Sequence, residues 1–546
     1  MFNALIEFIK REGNFSFWKN IIFMATLSGL ANAGLLAVVN SASNSAQDEG
    51  LNYRFFAIYI VLFLIFFITK RYSLKHASIE VEKIIKSARD RISMKIIKSE
   101  LVTMESLNSS SLFTRLTRDT SIISQASFQI TGATQSVIMI FFAMIYIYSI
   151  SQIAFFIIIT TSTFITITYL SFSQEFGNNL SIVDKIEEKF ISSLTSIIDG
   201  FKELKINSYK SKKVMQEHSI ILNELTDSKI QISDLFVTAI MYAEIFLYLL
   251  LALIVFVLPH LATMDSTTII KLTAATLFII GPFGMIVGII PMISKTDTAI
   301  QNIDNLEKEL DKKNSEVSSV EINSEEFEEF ETIKLKETEF YYLDDRGDKL
   351  FAIGPINLTI KKGEIIFIIG GNGSGKSTLV KTLLGLYTPQ SGGIYLDDEI
   401  IDRYNYQSYR NLYSIILGDF YLFDRFYGLE DIDKKLVNRL LKEMQLNSKT
   451  KFIDGKFTNI NLSTGQRKRL ALILSILEDK DIYVFDEWAA DQDPEFRKYF
   501  YKTILKELQA RGKTVIAVTH DDAYFEVANR VFKIEYGQMS EYKGTK

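Results

Sequence analysis

Apolar residues fall into long uncharged runs over the first three hundred positions and into short β-branched runs after them. No charged side chain occurs between Lys19 and Asp48, Arg54 and Lys70, Asp119 and Glu175, or Lys271 and Lys295. A helix rises about 1.5 Å per residue, so about 20 residues cross roughly 30 Å of hydrocarbon. The Asp119 to Glu175 gap has room for two crossings with a turn at Ser149, Ser151 and Gln152. The pattern predicts six spans, near 18–40, 53–72, 131–149, 153–172, 235–258 and 269–292. The second has the shortest uncharged stretch, so Arg54 and Lys70 must snorkel toward the two interfaces. No proline precedes Pro259, which suits long unbroken helices, and residues 70–98 read as the second span continuing out of the membrane.

Basic residues set the orientation. Lys70, Arg71, Lys75, Lys83, Lys86, Arg89, Arg91, Lys95 and Lys98 follow the second span, and Lys185, Lys189, Lys202, Lys205, Lys210, Lys212 and Lys213 follow the fourth. By the positive-inside rule these loops are cytoplasmic. The connections 41–52 and 259–268 hold Asp48, Glu49 and Asp265 but no Lys or Arg, as expected outside, so both termini are expected in the cytoplasm. The first apolar run is long and follows an amphipathic segment, Phe2 to Lys10, which favours a retained span over a cleaved signal peptide.

Past the sixth span the chemistry changes. Residues 1–298 carry 25 Lys and Arg against 23 Asp and Glu, and residues 299–546 carry 35 against 42. The spacing predicts a membrane domain over 1–315, an acidic linker over 316–331 containing Glu325, Glu326, Glu328 and Glu329, and a soluble α/β domain over 332–546. Ile365 to Ile369, Ile482 to Phe485 and Val515 to Val518 read as buried parallel strands. With a formal charge of -5 and a pI near 5.7 the chain has no electrostatic footprint for nucleic acid. Zero Cys and four His exclude disulfides, thiolate nucleophiles, Cys-bound zinc and iron–sulfur clusters.

The strand Ile365 to Ile369 runs into Gly370-Gly371-Asn372-Gly373-Ser374-Gly375-Lys376-Ser377-Thr378, and an amphipathic helix follows. This is a P-loop in its required context. Its amides and helix N-terminus can hold phosphate oxygens, Lys376 can reach the β- and γ-phosphates, and the Ser377 hydroxyl can ligate Mg²⁺. The strand Ile482 to Phe485 delivers Asp486 and Glu487 at its C-terminal end, where Asp486 can bind Mg²⁺ and Glu487 can polarise attacking water.

Between these lies Leu462-Ser463-Thr464-Gly465-Gln466, followed by Arg467-Lys468-Arg469. The pentapeptide resembles the signature of ABC transporters, and the order P-loop, signature, strand with Asp486-Glu487, then strand with His520 is theirs throughout. Asp486-Glu487-Trp488-Ala489-Ala490-Asp491-Gln492-Asp493-Pro494 departs from the common ABC sequence, which has a Ser-Ala-Leu-Asp D-loop where Ala490 to Asp493 stand. It resembles the exporters of cyclic peptides and siderophore precursors, of the syringomycin-secretion and pyoverdine type, which include microcin exporters. Gly200 to Lys205 and Gly281-Pro282 match that group as well. One further departure is Gly418, in Ile416 to Phe423, where ABC domains usually carry a Gln that touches Mg²⁺; Asp419 is the neighbouring side chain able to approach the metal.

The resemblance implies a six-helix membrane domain of the type IV exporter kind fused to a P-loop nucleotide-binding domain, working as a homodimeric, ATP-hydrolysing half-transporter in the bacterial cytoplasmic membrane. ATP and Mg²⁺ would sit between Gly370, Asn372, Gly373, Ser374, Gly375, Lys376, Ser377 and Thr378 of one chain and Ser463, Gly465 and Gln466 of the other. Tyr342 would stack on adenine, and Lys376, Glu487 and His520 would serve catalysis with Ser377 and Asp486 on the metal. Segments near Glu105 to Asp119 and Phe190 to Lys205 would carry motion to the spans. The implied cargo is a peptide or peptide-derived product; lipid or drug export, or a membrane-bound ATP sensor, are the alternatives. Without Cys, the chain cannot cleave a leader by a cysteine protease. Glu244, the acid within the fifth span, is expected to face protein or a water-filled cargo cavity, since a mid-membrane charge costs about 2.5–3.5 kcal/mol on insertion scales.

Overall fold

A computed structural model of the chain describes residues 3–12, 15–45, 52–107, 109–261, 264–314, 327, 330–343, 348–402, 404–429 and 432–543. It divides into two compact units, Met1–Lys98 with Leu107–Lys312, and Ser99–Ser106 with Lys313–Lys546. Most of the acidic linker, including its four clustered glutamates, lies outside the described residues.

In the first unit the apolar runs become long helices: α1 (Phe15–Ser45), α2 (Tyr53–Lys98), α3 (Thr120–Ile150), α4 (Gln152–Asp199), α5 (Ser208–Ala252) and α6 (Ser266–Asn314). The turn between α3 and α4 is one residue, Ser151, whose side chain accepts the Ala154 amide and so caps α4. Among the described residues five helices are long and apolar enough to cross a membrane; the corresponding stretch of α4, Gln152–Thr168, is shorter, although the helix itself runs unbroken to Asp199. The apolar run of α2 is the barest of all, with Phe56, Val61, Phe67 and Ile68 exposed, as a lipid-facing helix requires. The helices pack through a core rich in small residues, among them Ala143, Ala154, Ala239, Ala243 and Ala275, with Ile147, Ile158 and Ile254 between them.

Beyond the apolar runs the helices are joined by charge. Arg91 of α2 bridges Glu12 of the short helix Asn3–Glu12 and Glu307 of α6, both at 2.7 Å, while Arg11 reaches Asp304 at 2.9 Å. These bonds hold the N-terminal helix against α2 and α6. Glu12 and Arg91 are partly buried; despite the cost of burial, their hydrogen bonds hold the Glu12 carboxyl below its ordinary range.

The second unit is built on two sheets. Strands β1 (Thr332–Leu343), β2 (Lys349–Lys361), β4 (Ser391–Leu396) and β5 (Glu399–Ile401) form an antiparallel sheet in the order β2-β1-β4-β5. Strands β3 (Ile365–Gly370), β6 (Tyr413–Ile416), β7 (Ile482–Asp486), β8 (Thr514–Val518), β9 (Arg530–Glu535) and β10 (Gln538–Glu541) form the other, in the order β10-β9-β3-β8-β7-β6. All of this second sheet is parallel except the β9–β10 edge. Side chains of β3 alternate between two cores: Ile365, Phe367 and Ile369 enter one, Ile366 and Ile368 the other. Burial on both faces is why the strand reads as a continuous apolar run.

Candidate functional site

The parallel register decides what meets at the sheet edge. Val518 pairs with both Ile368 and Asp486, and Ile416 pairs with Phe485. The C-terminal ends of four adjacent strands therefore deliver the P-loop after β3, His520 after β8, Asp486 and Glu487 at β7, and Gly418 after β6 to one edge, where open α/β sheets bind ligands.

The P-loop closes onto helix α7 (Lys376–Leu383) through Gly375. Its φ is +109°, and a Cβ there would stand 2.7 Å from Ile353 Cγ2, so conformation and space both demand glycine. Lys376 is buried, and its ammonium donates to the carbonyls of Gly370 (3.1 Å) and Gly371 (3.0 Å) and lies 3.9 Å from Glu487 Oε1. The Ser377 hydroxyl donates to Asp486 Oδ2 at 3.4 Å. Asp486 is buried, and its Oδ1 has no hydrogen-bond partner. Burial, with Glu487 adding, pushes its carboxyl above the ordinary range against the Gly418 amide, Ser377 and Lys376. A buried carboxylate with an unused oxygen beside a hydroxyl is a hard-oxygen donor set that fits Mg²⁺, which takes one or two carboxylates and fills its shell with phosphate and water. A Cβ on Gly418 would stand 3.7 Å from Asp486 Oδ2. The departure thus lies beside the metal position, and the backbone amide supplies a hydrogen bond there.

Glu487 has φ 50° and ψ 36°, a left-handed conformation at a non-glycine residue. Three bonds hold it: its amide donates to Val518 O at 3.1 Å, and its carbonyl accepts Lys468 Nζ at 2.7 Å and the Ala490 amide at 3.4 Å. The carboxylate is left half-exposed, with His520 Nε2 3.2 Å from Oε1. A partly exposed carboxylate positioned by an imidazole and near Lys376 can orient a water at the phosphate position.

The signature opens helix α8 (Thr464–Glu478). Ser463 and Gln466 form a reciprocal capping box, so the Gln466 side chain serves the helix cap. A Cβ on Gly465 would come within 2.5 Å of Asp491 O; only glycine lets the D-loop approach this closely. Buried Gln492 accepts from Arg469 Nε at 2.8 Å and donates to Gly465 O at 3.1 Å. Trp488, fully buried, stacks on Phe500 and donates to Lys468 O at 2.8 Å. The residues that depart from the common D-loop pattern are thus those that bind it to the signature helix. Among the described residues no hydrogen bond or ion pair joins Ser463–Gln466 to Gly370–Thr378 of the same chain.

Tyr342 lies on β1, edge-on to Phe340 and Tyr387, and its hydroxyl donates to Tyr387 Oη at 3.1 Å. Tyr387 in turn donates to Glu105 Oε2 at 2.6 Å, and Lys381 donates to Glu105 Oε1 at 2.7 Å. Glu105 belongs to the short helix Leu101–Ser106, which groups with this unit. The sequence places Glu105 in a contact segment but does not point to Tyr387 or Lys381. Lys468, Arg469 and Gln492 stand out there only as parts of motifs; the signal for the first two is polar side chains on the buried face of an apolar helix.

In the helical unit Glu244 is exposed on α5 and does not line the cavity that lies between the polar ends of the helices. That cavity, about 1280 Å³, is lined by Arg118, Asp119, Asp184, Glu187, Lys229 and Lys295 among others. Arg118 bridges Asp184 and Glu187 at 2.9 Å each, and Lys229 reaches Glu187 at 2.6 Å. Burial pushes the Asp119 carboxyl upward, against a hydrogen bond from Asn302 at 3.1 Å.

Residues 353–490 match the family model of the ABC transporter. The chain is 32% identical to the energy-coupling factor transporter ATP-binding protein EcfA of Enterococcus faecium over 38% of its own length and 77% of that protein. The chain belongs to the ABC transporter family. Over 95% of its length, and 93% of the relative's, it is 29% identical to the ATP-binding protein SyrD of Pseudomonas syringae pv. syringae. Its fold is that of a bacterial Atm1-family ABC exporter with ATP bound, at a TM-score of 0.77 and 14% identity over 95% of this chain and 94% of that one. The chain is accordingly a multi-pass membrane ABC exporter with an ATP-binding, ATP-hydrolysing domain.

Proposed function

We propose that two copies of the chain form an exporter that moves a peptide or peptide-derived natural product out across the bacterial cytoplasmic membrane, with both termini in the cytoplasm. The observation that carries this reading is the full-length likeness to SyrD, joined to the D-loop residues Trp488 and Gln492, whose resemblance is to exporters of cyclic peptides and siderophore precursors.

In this reading the P-loop amides and Lys376 bind the ATP phosphates, and Ser377 and Asp486 hold Mg²⁺, which would neutralise phosphate charge. Glu487, steadied by His520, orients the attacking water. Ser463, Gly465 and the helix N-terminus behind them complete the site of the second copy. Ser463 and Thr464 are exposed at the start of a long helix, a geometry suited to an anion, and they do not engage their own P-loop. The homodimer is supported further by the apolar tip formed by Ile198, Phe201, Ile206 and Tyr209, all at least 60% exposed. Adenine stacks against Tyr342. Glu244 meets the cargo.

The test is ATP-dependent uptake of a cyclic peptide into inside-out proteoliposomes. Uptake lost in Glu487→Gln is the expected result. ATPase activity stimulated equally by unrelated lipophiles and lipids, with no peptide accumulation, would favour the lipid or drug reading. Glu244→Gln should abolish stimulation by peptide and leave the basal rate intact.

A further inference from the structure

Where the first three long helices leave the apolar zone, a second cavity of about 190 Å³ lies between the N-terminal helix, α1, α2 and α3. Its walls include Phe8, Ile21, Ala25, Ile84 and Ile123, all buried. Four hydroxyls also line it, and each is spent on backbone: Ser73 donates to Ile21 O, Ser127 to Ser124 O, Thr131 to Ser127 O and Thr134 to Ile130 O. Each has spent its proton and keeps only acceptor lone pairs. Apolar cavities of roughly 150 Å³ stay dry and take up apolar ligands.

Two observations say what belongs there. Trp18 lines the cavity at the first residue of the α1 span, and its Nε1 is buried without an acceptor. A buried donor left unmade costs about 1–3 kcal/mol, so an occupant that brings an oxygen to that end removes the cost. Ile22, on the same wall, is 54% exposed, on the candidate membrane-spanning stretch of α1. The cavity therefore has mostly apolar walls, an exposed apolar residue on one side, and one free donor, a tryptophan N–H of the kind that marks the headgroup boundary.

We propose that this cavity is a binding site for one acyl chain of a membrane phospholipid from the cytoplasmic leaflet, its ester or phosphate oxygen accepting from Trp18 Nε1. A chain seated there fills the space between the N-terminal helix and α1 to α3, and so couples the N-terminal helix to the lipid around it. The assignment rests on membrane residence and on the orientation proposed above, and is independent of the cargo.

The test uses the full chain in nanodiscs of phosphatidylethanolamine and phosphatidylglycerol, with and without phospholipid brominated at mid-chain. The chain's two tryptophans are Trp18 and the fully buried Trp488 of the ATP-binding unit, so bromine quenching reports Trp18, and Trp18→Phe gives the baseline. Ala25→Phe and Ser127→Leu fill the cavity from two different helices. The expected result is strong quenching in the native protein, and loss of that excess in whichever filling variant folds, together with loss of the phospholipid retained in native mass spectrometry. Quenching unchanged in both folded variants would overturn the site, because annular lipid alone then accounts for it. Quenching that appears only when an acylated peptide is added would also overturn it, by making the occupant cargo.

Discussion

Lys468 Nζ donates to the backbone carbonyl of Glu487 at 2.7 Å and pairs with Asp491 Oδ2 at the same distance. One buried ammonium from the signature helix thus holds both the residue placed to orient the attacking water and the first acid of the D-loop.

Replacing it should therefore damage more than charge. Lys468→Met removes the shortest of the three bonds to a strained Glu487 backbone and leaves Asp491 without its ammonium partner; a lost bond to a charged group costs about 1.5–3 kcal/mol. The expected outcome is a lower melting temperature for the ATP-binding unit together with reduced ATPase activity. Arg467→Met, one residue away and half-buried over the Phe420 ring, should change neither by much. Calorimetry alongside a phosphate-release assay checks both.

Glu487→Gln keeps the shape and removes the charge. Nucleotide binding should persist while hydrolysis slows about 100- to 10,000-fold, the range of positioned acid–base groups. Lys376→Ala should instead weaken nucleotide binding. Turnover near the native rate in Glu487→Gln would assign the water to another group.

Asp486 makes a prediction about pH. Its folded carboxyl titrates above the unfolded value because of burial, so the ionised form destabilises the fold. The stability contributed by the neutral form is fully present below the unfolded pKa and is lost as pH rises toward the raised folded value. Asp486→Asn should hence melt no lower than the native protein at neutral pH in the presence of a chelator, yet lose Mg²⁺-dependent hydrolysis. In the native protein the Mg²⁺ requirement should steepen on the acid side, at a pH above the ordinary aspartate range, as protons compete for the carboxylate.

Gly418 is open toward Asp486, with 3.7 Å available to a Cβ, which is ordinary van der Waals contact. Gly418→Gln should fold with stability within about 0.5 kcal/mol of native, and the native protein should hydrolyse Mg-ATP without it. A native protein that binds ATP and never turns it over would favour the sensor reading.

Glu105→Gln breaks the charge-assisted bond to Lys381 and weakens that to Tyr387. Its partners Lys381 and Tyr387 lie outside the P-loop, the signature and the Asp486-Glu487 pair, so basal ATPase should be retained while its stimulation by cargo is lost. Stimulation unchanged would mean the Glu105 bonds serve packing alone.

Much of this was legible because its chemistry is local. The uncharged gaps mark α1 to α4 and α6, an apolar run broken by Glu244 marks α5, and a continuous apolar run such as Ile365 to Ile369 marks a strand buried on both faces. A P-loop, a strand ending in Asp486-Glu487 and a capped signature helix each occupy a handful of consecutive residues. What was not legible depends on partners far apart along the chain. Nothing near Glu105 announces Tyr387, and Lys468 reads as one of three basic residues until the fold buries it against Glu487. Gln466, assigned by resemblance to the nucleotide, closes a capping box as well. Glu244 stands on an exposed face of α5, since hydropathy along one span does not say which of its faces packs against the neighbouring helices.

The grouping of Ser99–Ser106 with the ATP-binding unit bears on how the protein can be taken apart. No single cut along the chain yields that unit whole: a fragment beginning near Lys313 lacks the eight residues that supply Glu105, and leaves Lys381 and the Tyr387 hydroxyl to be satisfied by solvent. An excised ATPase should thus be less stable than the same residues in the intact chain, and a synthetic peptide spanning Lys98 to Leu107, added in trans, should restore part of the difference.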